Sequence, residues 1–200
     1  MIKEKNILIV LMIVLFSGIA ISQTSSGNKA QGFFLAFGVG PRVPVLDFSN
    51  QSDLGYGFNI EFSYADTDVL PIFLFATVGF EQYPGSQDYY KETDYSNFHT
   101  NSLPVTLGGR YYFSPLIENI FLLMPFIQAS ANFNYYEKLH QFKTGSGRNN
   151  FLEDKSKFGF GAGAGVSMFM MELLASYNYY ELNQFVSLDL KVRIPLFVKF

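Results

Sequence analysis

"GYGFNIEFSYA", residues 55–65, puts Tyr56, Phe58, Ile60, Phe62 and Tyr64 on one parity and Gly57, Asn59, Glu61, Ser63 and Ala65 on the other. Successive side chains of a β-strand point to opposite faces, so this period of two reads as a strand with one apolar face and one small or polar face. A soluble barrel turns the apolar face inward, whereas a transmembrane barrel turns it out to lipid. The polar parity decides between them. Gly57, Gly79 and Gly108 lie on it, and in "FGFGAGAGVSM", residues 158–168, Gly159, Gly161, Gly163 and Gly165 follow one another along it. A face of glycine, serine and asparagine solubilises poorly. A narrow lumen, by contrast, needs small residues beside long ones, so lipid is read on the outside.

The same template, carried outward, gives strands over 32–40, 55–65, 72–83, 102–113, 121–136, 158–168, 173–180 and 186–200. The connections after strands two, four and six are short. Those after strands one, three and five are long and polar, as expected of the two ends of an outer-membrane barrel, and only the short connection at 181–184 departs from this. Rings cluster near strand ends on the apolar parity (Tyr56, Tyr64, Phe113, Tyr135, Tyr179, Phe200), where membrane-interface girdles form. The fold class predicted is all-β: an eight-stranded antiparallel up-and-down transmembrane β-barrel.

Composition agrees. Only 16 % of the 200 residues are charged, against roughly 25 % in soluble domains, and Trp and Cys are absent. Without cysteine there are no disulfides, thiolate metal sites or lipoprotein anchor. Lys3 and Lys5, the apolar run from Ile7, and small Ala20 and Ser22 describe a cleaved signal peptide over 1–22. Residues 23–31 are then a short periplasmic segment and 32–200 the barrel. The net charge of −3, or −4 without the signal's two lysines and one glutamate, gives no reason to expect nucleic acid.

The polar parity carries Glu61, Glu81 and Asp189 against Arg110, Lys191 and Arg193. An eight-stranded lumen is just wide enough to be filled by side chains, and an unpaired charge inside it costs several kcal/mol, on the order of the penalty for any isolated buried ion. The six are expected to pair and plug the lumen. The alternative is a narrow or gated porin-like channel in which these pairs change partners.

In strand pattern, residues 32–200 resemble the small eight-stranded bacterial outer-membrane barrels: the OmpA transmembrane domain, OmpX and the opacity proteins. The resemblance implies residence in the outer membrane, contact with its lipid and lipopolysaccharide, and insertion by periplasmic chaperones and the barrel-assembly machinery. It also implies an assembly signal in the last strand, where Arg193, Val198 and Phe200 fit and Pro195 replaces a glycine. Pro104 and Pro125 mark strand starts or bulges. The fold hosts adhesins, anchors, pores and lipid A-modifying enzymes, so the resemblance names no single activity.

For enzymatic chemistry, His99, Ser102 and Asp94 or Glu92 are the one candidate set, while His140 lies in another predicted loop. No metal-ligand spacing or nucleotide signature appears, so no cofactor is expected and the protein is read as a non-enzyme. For binding of an extracellular ligand of unknown identity, the loop after strand three offers Tyr89, Tyr90 and Tyr95, since tyrosine supplies contact area at low entropic cost.

Overall fold

The computed structural model describes residues 31–66, 70–116 and 123–199. The signal-peptide assignment, residues 23–30 of the expected periplasmic segment, residues 67–69 and 117–120 of the expected short connections, the first two residues of the expected fifth strand and Phe200 of the assembly signal lie outside the described residues.

Eight strands close into one antiparallel barrel in sequence order. They are β1 Gln31–Val45, β2 Gly55–Asp66, β3 Leu70–Pro84, β4 Tyr95–Tyr112, β5 Leu123–Phe142, β6 Phe151–Met168, β7 Met171–Tyr180 and β8 Gln184–Lys199. A 3-10 helix, Leu46–Asn50, follows β1, and a short helix α1, Gln87–Glu92, follows β3. Following partners around the wall from Pro195 through Phe34, Ser63, Phe75, Gly108, Ser130, Gly161 and Asn178 returns to β8 at Phe185, ten residues along the strand. For eight strands that stagger sets a tilt of roughly 40°.

The faces sort as the alternation requires. Tyr56, Phe58, Ile60 and Phe62 are exposed while Gly57, Asn59, Glu61 and Ser63 are buried, and the pattern repeats along β8 from Phe185 to Arg193. The exposed set continues around the wall through Val39, Val78, Leu107, Phe160 and Leu190. A contiguous apolar band of this extent is a surface built for hydrocarbon, and closure satisfies every strand's backbone inside it. Inward glycines make room for long neighbours. A Cβ on Gly165 would sit 2.5 Å from the Phe126 ring, and one on Gly57 would sit 2.9 Å from the Arg42 guanidinium.

Several expected boundaries are corrected. β1 is strand from Gln31, the first described residue, and runs five residues past Gly40. β4 starts at Tyr95, β5 continues to Phe142 and β6 starts at Phe151, so much of the two long loops is strand. The short connection expected between 168 and 173 is only Phe169 and Met170, with Phe169 at φ 54°, and Glu172 belongs to β7. Pro195 has a place in this geometry. Phe34 faces Pro195 and Phe33 faces Phe197, so Leu196 is the extra residue of a bulge, a position that tolerates proline. Pro104 falls where β3–β4 pairing is interrupted between Val105 and Ser102 without a change of register, and Pro125 is the third residue of β5.

Candidate functional site

Two regions collect chemistry: the lumen, and a flange above it. In the lower lumen Glu61 accepts from three cations, Lys191 at 2.6 Å, Arg193 at 2.7 Å and Arg110 at 2.9 Å. Arg110 and Arg193 also reach Glu172 at 3.0 and 2.8 Å, and the Tyr112 hydroxyl donates to the same carboxylate at 2.6 Å. The Arg110 guanidinium lies over the Phe75 and Phe126 rings. Higher up, Arg42 bridges Glu81 at 2.8 Å and Asp189 at 2.9 Å, with Tyr83 and Asn59 donating to those carboxylates. The lower group holds three cations and two anions and the upper group one cation and two anions, so the eight charges cancel.

All six expected lumen residues are therefore buried and paired. Arg42 and Glu172 were missed, although continuing the parity from Gly40 and back from Leu174 reaches both. Between the groups is a cavity of about 70 Å³ lined by Asn59, Thr77, Thr106 and Ser176 together with apolar Phe75 and Leu174, enough for a few waters. Above it the 3-10 helix tucks Phe48 against Tyr83, Tyr180 and Phe185, closing the upper mouth with packed rings.

The flange is the part of β4, β5 and β6 that outruns its neighbours. Pairing of β3 with β4 ends at His99, and that of β6 with β7 ends at Gly159. Above those points the three strands pair only with one another, from Tyr95 opposite Phe142 to His140 opposite Phe151. The connections are tied down: Lys143 donates to the carbonyls of Tyr90 and Thr93 at the end of α1, and Ser52 bridges to Gly85. On the lumen-side face Lys138, Lys155 and Lys157 accompany one acid, Glu153. The Lys155 hydrogen bond holds Glu153 below the usual carboxylate range.

The three tyrosines are placed unequally. Tyr89 stacks on Tyr95 at 5.2 Å and Tyr95 on Phe142 at 4.6 Å, forming one aromatic array. Tyr90 is committed elsewhere: its hydroxyl donates to the Phe98 carbonyl at 2.7 Å and accepts from the Phe98 N–H at 3.0 Å, capping the upper edge of β4. Tyr90→Phe removes both bonds, so cleavage within α1 by limited proteolysis is expected to rise with a stability loss of about 1 kcal/mol.

The catalytic constellation is not assembled. His99 and Ser102 sit on opposite parities of β4, and the Ser102 hydroxyl is buried, donating to Asn134 at 2.8 Å. Both histidines lie on strands, correcting their placement in loops, and His140 is buried between Tyr95 and Glu153.

No protein-family model and no curated protein matches the sequence. Among solved structures, Neisserial surface protein A aligns over 84 % of this chain and 99 % of its own, with 16 % identity and a TM-score of 0.51. Ail, the attachment invasion locus protein of Yersinia pestis, aligns over 84 % and 100 %, with 14 % identity and a TM-score of 0.44. The N-terminal barrel domain of Pseudomonas aeruginosa OprF aligns over 82 % and 99 %, with 13 % identity and a TM-score of 0.42. Closed topology in sequence order, an outward apolar band, a filled lumen and the alignment with the Neisserial protein agree: this chain has the fold of the small eight-stranded transmembrane β-barrels of bacterial outer membranes.

Proposed function

We propose that this protein is an integral outer-membrane barrel that acts through its exposed flange as a surface-interaction protein, its lumen serving as a rigid, non-conducting core. The observation that carries this reading is the closure of the lumen at two levels, by the Phe48 ring cluster and by the five-membered group around Glu61. A group in which each carboxylate has at least two partners has no spare member to open a path. Lipid and lipopolysaccharide meet the apolar band, and the barrel-assembly machinery with periplasmic chaperones delivers the chain. Arg193, the proposed polar residue of the assembly signal, also serves the lumen.

Two measurements test it. Purified protein in planar bilayers is expected to show no steady conductance, and continuous single-channel current in most insertions would return the narrow-pore reading. Protease added to intact cells is expected to cut at residues 143–150 while the barrel stays protected. A fully protected chain would refute surface exposure.

A further inference from the structure

Tyr95 heads a chain of hydrogen bonds that has no part in closing the lumen. Its hydroxyl meets His140 Nδ1 at 3.0 Å, and His140 Nε2 meets Glu153 Oε2 at 3.2 Å on the neighbouring strand. The order of donors follows from the far end. Lys155 lies 2.6 Å from Glu153 and keeps that carboxylate ionised, so Nε2 carries the imidazole hydrogen and donates it to Glu153. The Nδ1 lone pair is then left to accept from the Tyr95 hydroxyl. Phe151, stacked on the imidazole at 4.3 Å, holds the ring in that orientation. This is the arrangement of base and orienting acid that readies a hydroxyl to lose its proton, with a phenol in place of a serine.

On its other side Tyr95 stacks on Tyr89, with ring centroids 5.2 Å apart and planes 24° from parallel. Burial, the Tyr95 hydroxyl beside it and the hydrogen bond between them push the Tyr89 phenol up to about 12. Rings stacked with their hydroxyls adjacent bring the neighbouring ortho carbons together as well. Both rings are half-exposed, one on α1 and one at the start of β4. No other tyrosine among the described residues combines these features. Tyr135 has only the Asp154 carboxylate, as a base roughly a hundredfold weaker than an imidazole, and Tyr90 gives its hydroxyl to a backbone carbonyl. Tyr136 and Tyr180 do meet ring to ring, but both are sealed in the lumen.

We propose that Tyr95 is a site of oxidative modification: a peroxide, acting through a haem peroxidase, oxidises it as its proton passes to His140, and it couples with Tyr89 in a dityrosine cross-link. Each phenol gives up one electron and one proton. A C–C bond forms between the two ortho carbons, and the hydrogens those carbons carried move to the phenolic oxygens as the rings regain aromaticity. Hydrogen peroxide takes up the two electrons and two protons and leaves as two molecules of water. His140 passes its extra proton to solvent by way of Glu153, whose carboxylate is a third exposed. The imidazole ends as it began. The product fastens α1 to β4 with a covalent bond, where the Tyr90 hydroxyl alone held it before.

The test treats the full chain in phosphatidylcholine nanodiscs with a haem peroxidase and hydrogen peroxide, and reads dityrosine fluorescence and the masses of cross-linked peptides. Wild type is expected to give one dominant dityrosine, between Tyr89 and Tyr95 of the same chain, and to be cleaved less within α1 once oxidised. Tyr89→Phe and Tyr95→Phe each abolish that product. His140→Gln keeps an acceptor for the Tyr95 hydrogen bond but no base, so the initial rate of dityrosine formation is expected to fall about tenfold or more. Heat modifiability on gels shows that this barrel is folded, and unoxidised His140→Gln protein is cleaved within α1 no faster than wild type. No dityrosine in wild type, dityrosine spread over other tyrosines or formed between chains, or a His140→Gln protein that reacts at the wild-type rate would overturn the proposal. A slower His140→Gln protein whose α1 is also cleaved faster before oxidation would make His140 a structural support and overturn the proton step. The wild-type peptide map decides alone if the His140→Gln chain does not fold.

Discussion

Glu61→Gln is expected to lower the free energy of unfolding by about 3–5 kcal/mol, the cost of removing one partner from a buried ion group. Glu61 is fully buried and takes charge-assisted bonds from Lys191, Arg193 and Arg110. Glutamine keeps one acceptor oxygen but turns an NH2 group towards those cations, so a site already carrying one excess positive charge acquires a second. Glu172 remains as the only carboxylate of the lower group and is already engaged by two arginines and Tyr112. Reversible urea unfolding in detergent micelles reads the loss directly. Glu153→Gln on the flange, where the carboxylate is a third exposed, is the control and is expected to change stability by less than about 1 kcal/mol. A Glu61→Gln protein within about 0.5 kcal/mol of wild type would mean that the lower group is hydrated and not a closed plug.

What the sequence made legible and what it hid have one physical origin. Period two is strong only where the two faces of a strand meet different surroundings. Within the bilayer one face meets lipid and the other a packed lumen, so Tyr56 to Tyr64 and Val186 to Arg193 alternate cleanly and the charge-bearing parity is readable. In the flange the outward face meets water instead of lipid, and the other face is covered only in part, around Phe98, Thr100 and His140. Residues 95–101 and 151–157 are then free to carry polar side chains on either parity, and "FLEDKSKF" reads as loop although it is paired throughout with β5. Arg42 was hidden differently: it lies beyond Gly40 among Pro41 and Pro44, residues that cannot donate to a ladder, yet the strand continues past both and pairs with β8 as far as Val45. The Phe48 cap has no local signal, since one phenylalanine after a strand says nothing about which mouth it fills. Pro195, which breaks the expected terminal signal, is understood only once the register shows Leu196 bulged beside it.

Leu107→Arg separates lipid from water as the solvent of the outer wall. Leu107 is 61 % exposed, lies between Ala76 on β3 and Ala131 on β5, and shares its parity with Val105 and Leu103. If that exposure is to hydrocarbon near the midplane, an arginine there costs about 2–4 kcal/mol, because its charge must reach an interface or stay poorly solvated. If it is to water, the change is a surface substitution worth no more than about 0.5 kcal/mol. Leu152→Arg supplies the internal comparison. Leu152 is 58 % exposed on the outward parity of β6, but it stands in the flange, where both environments predict a near-neutral result. Unfolding in phospholipid bilayers is therefore expected to show a gap of about 2–4 kcal/mol between two chemically identical substitutions at equally exposed leucines. Burial cannot produce that gap, because the two exposures match, and neither can strand propensity, because both positions are in paired strands. Only a change of solvent along the barrel axis does, and equal stabilities for the two variants would remove lipid from the outer wall.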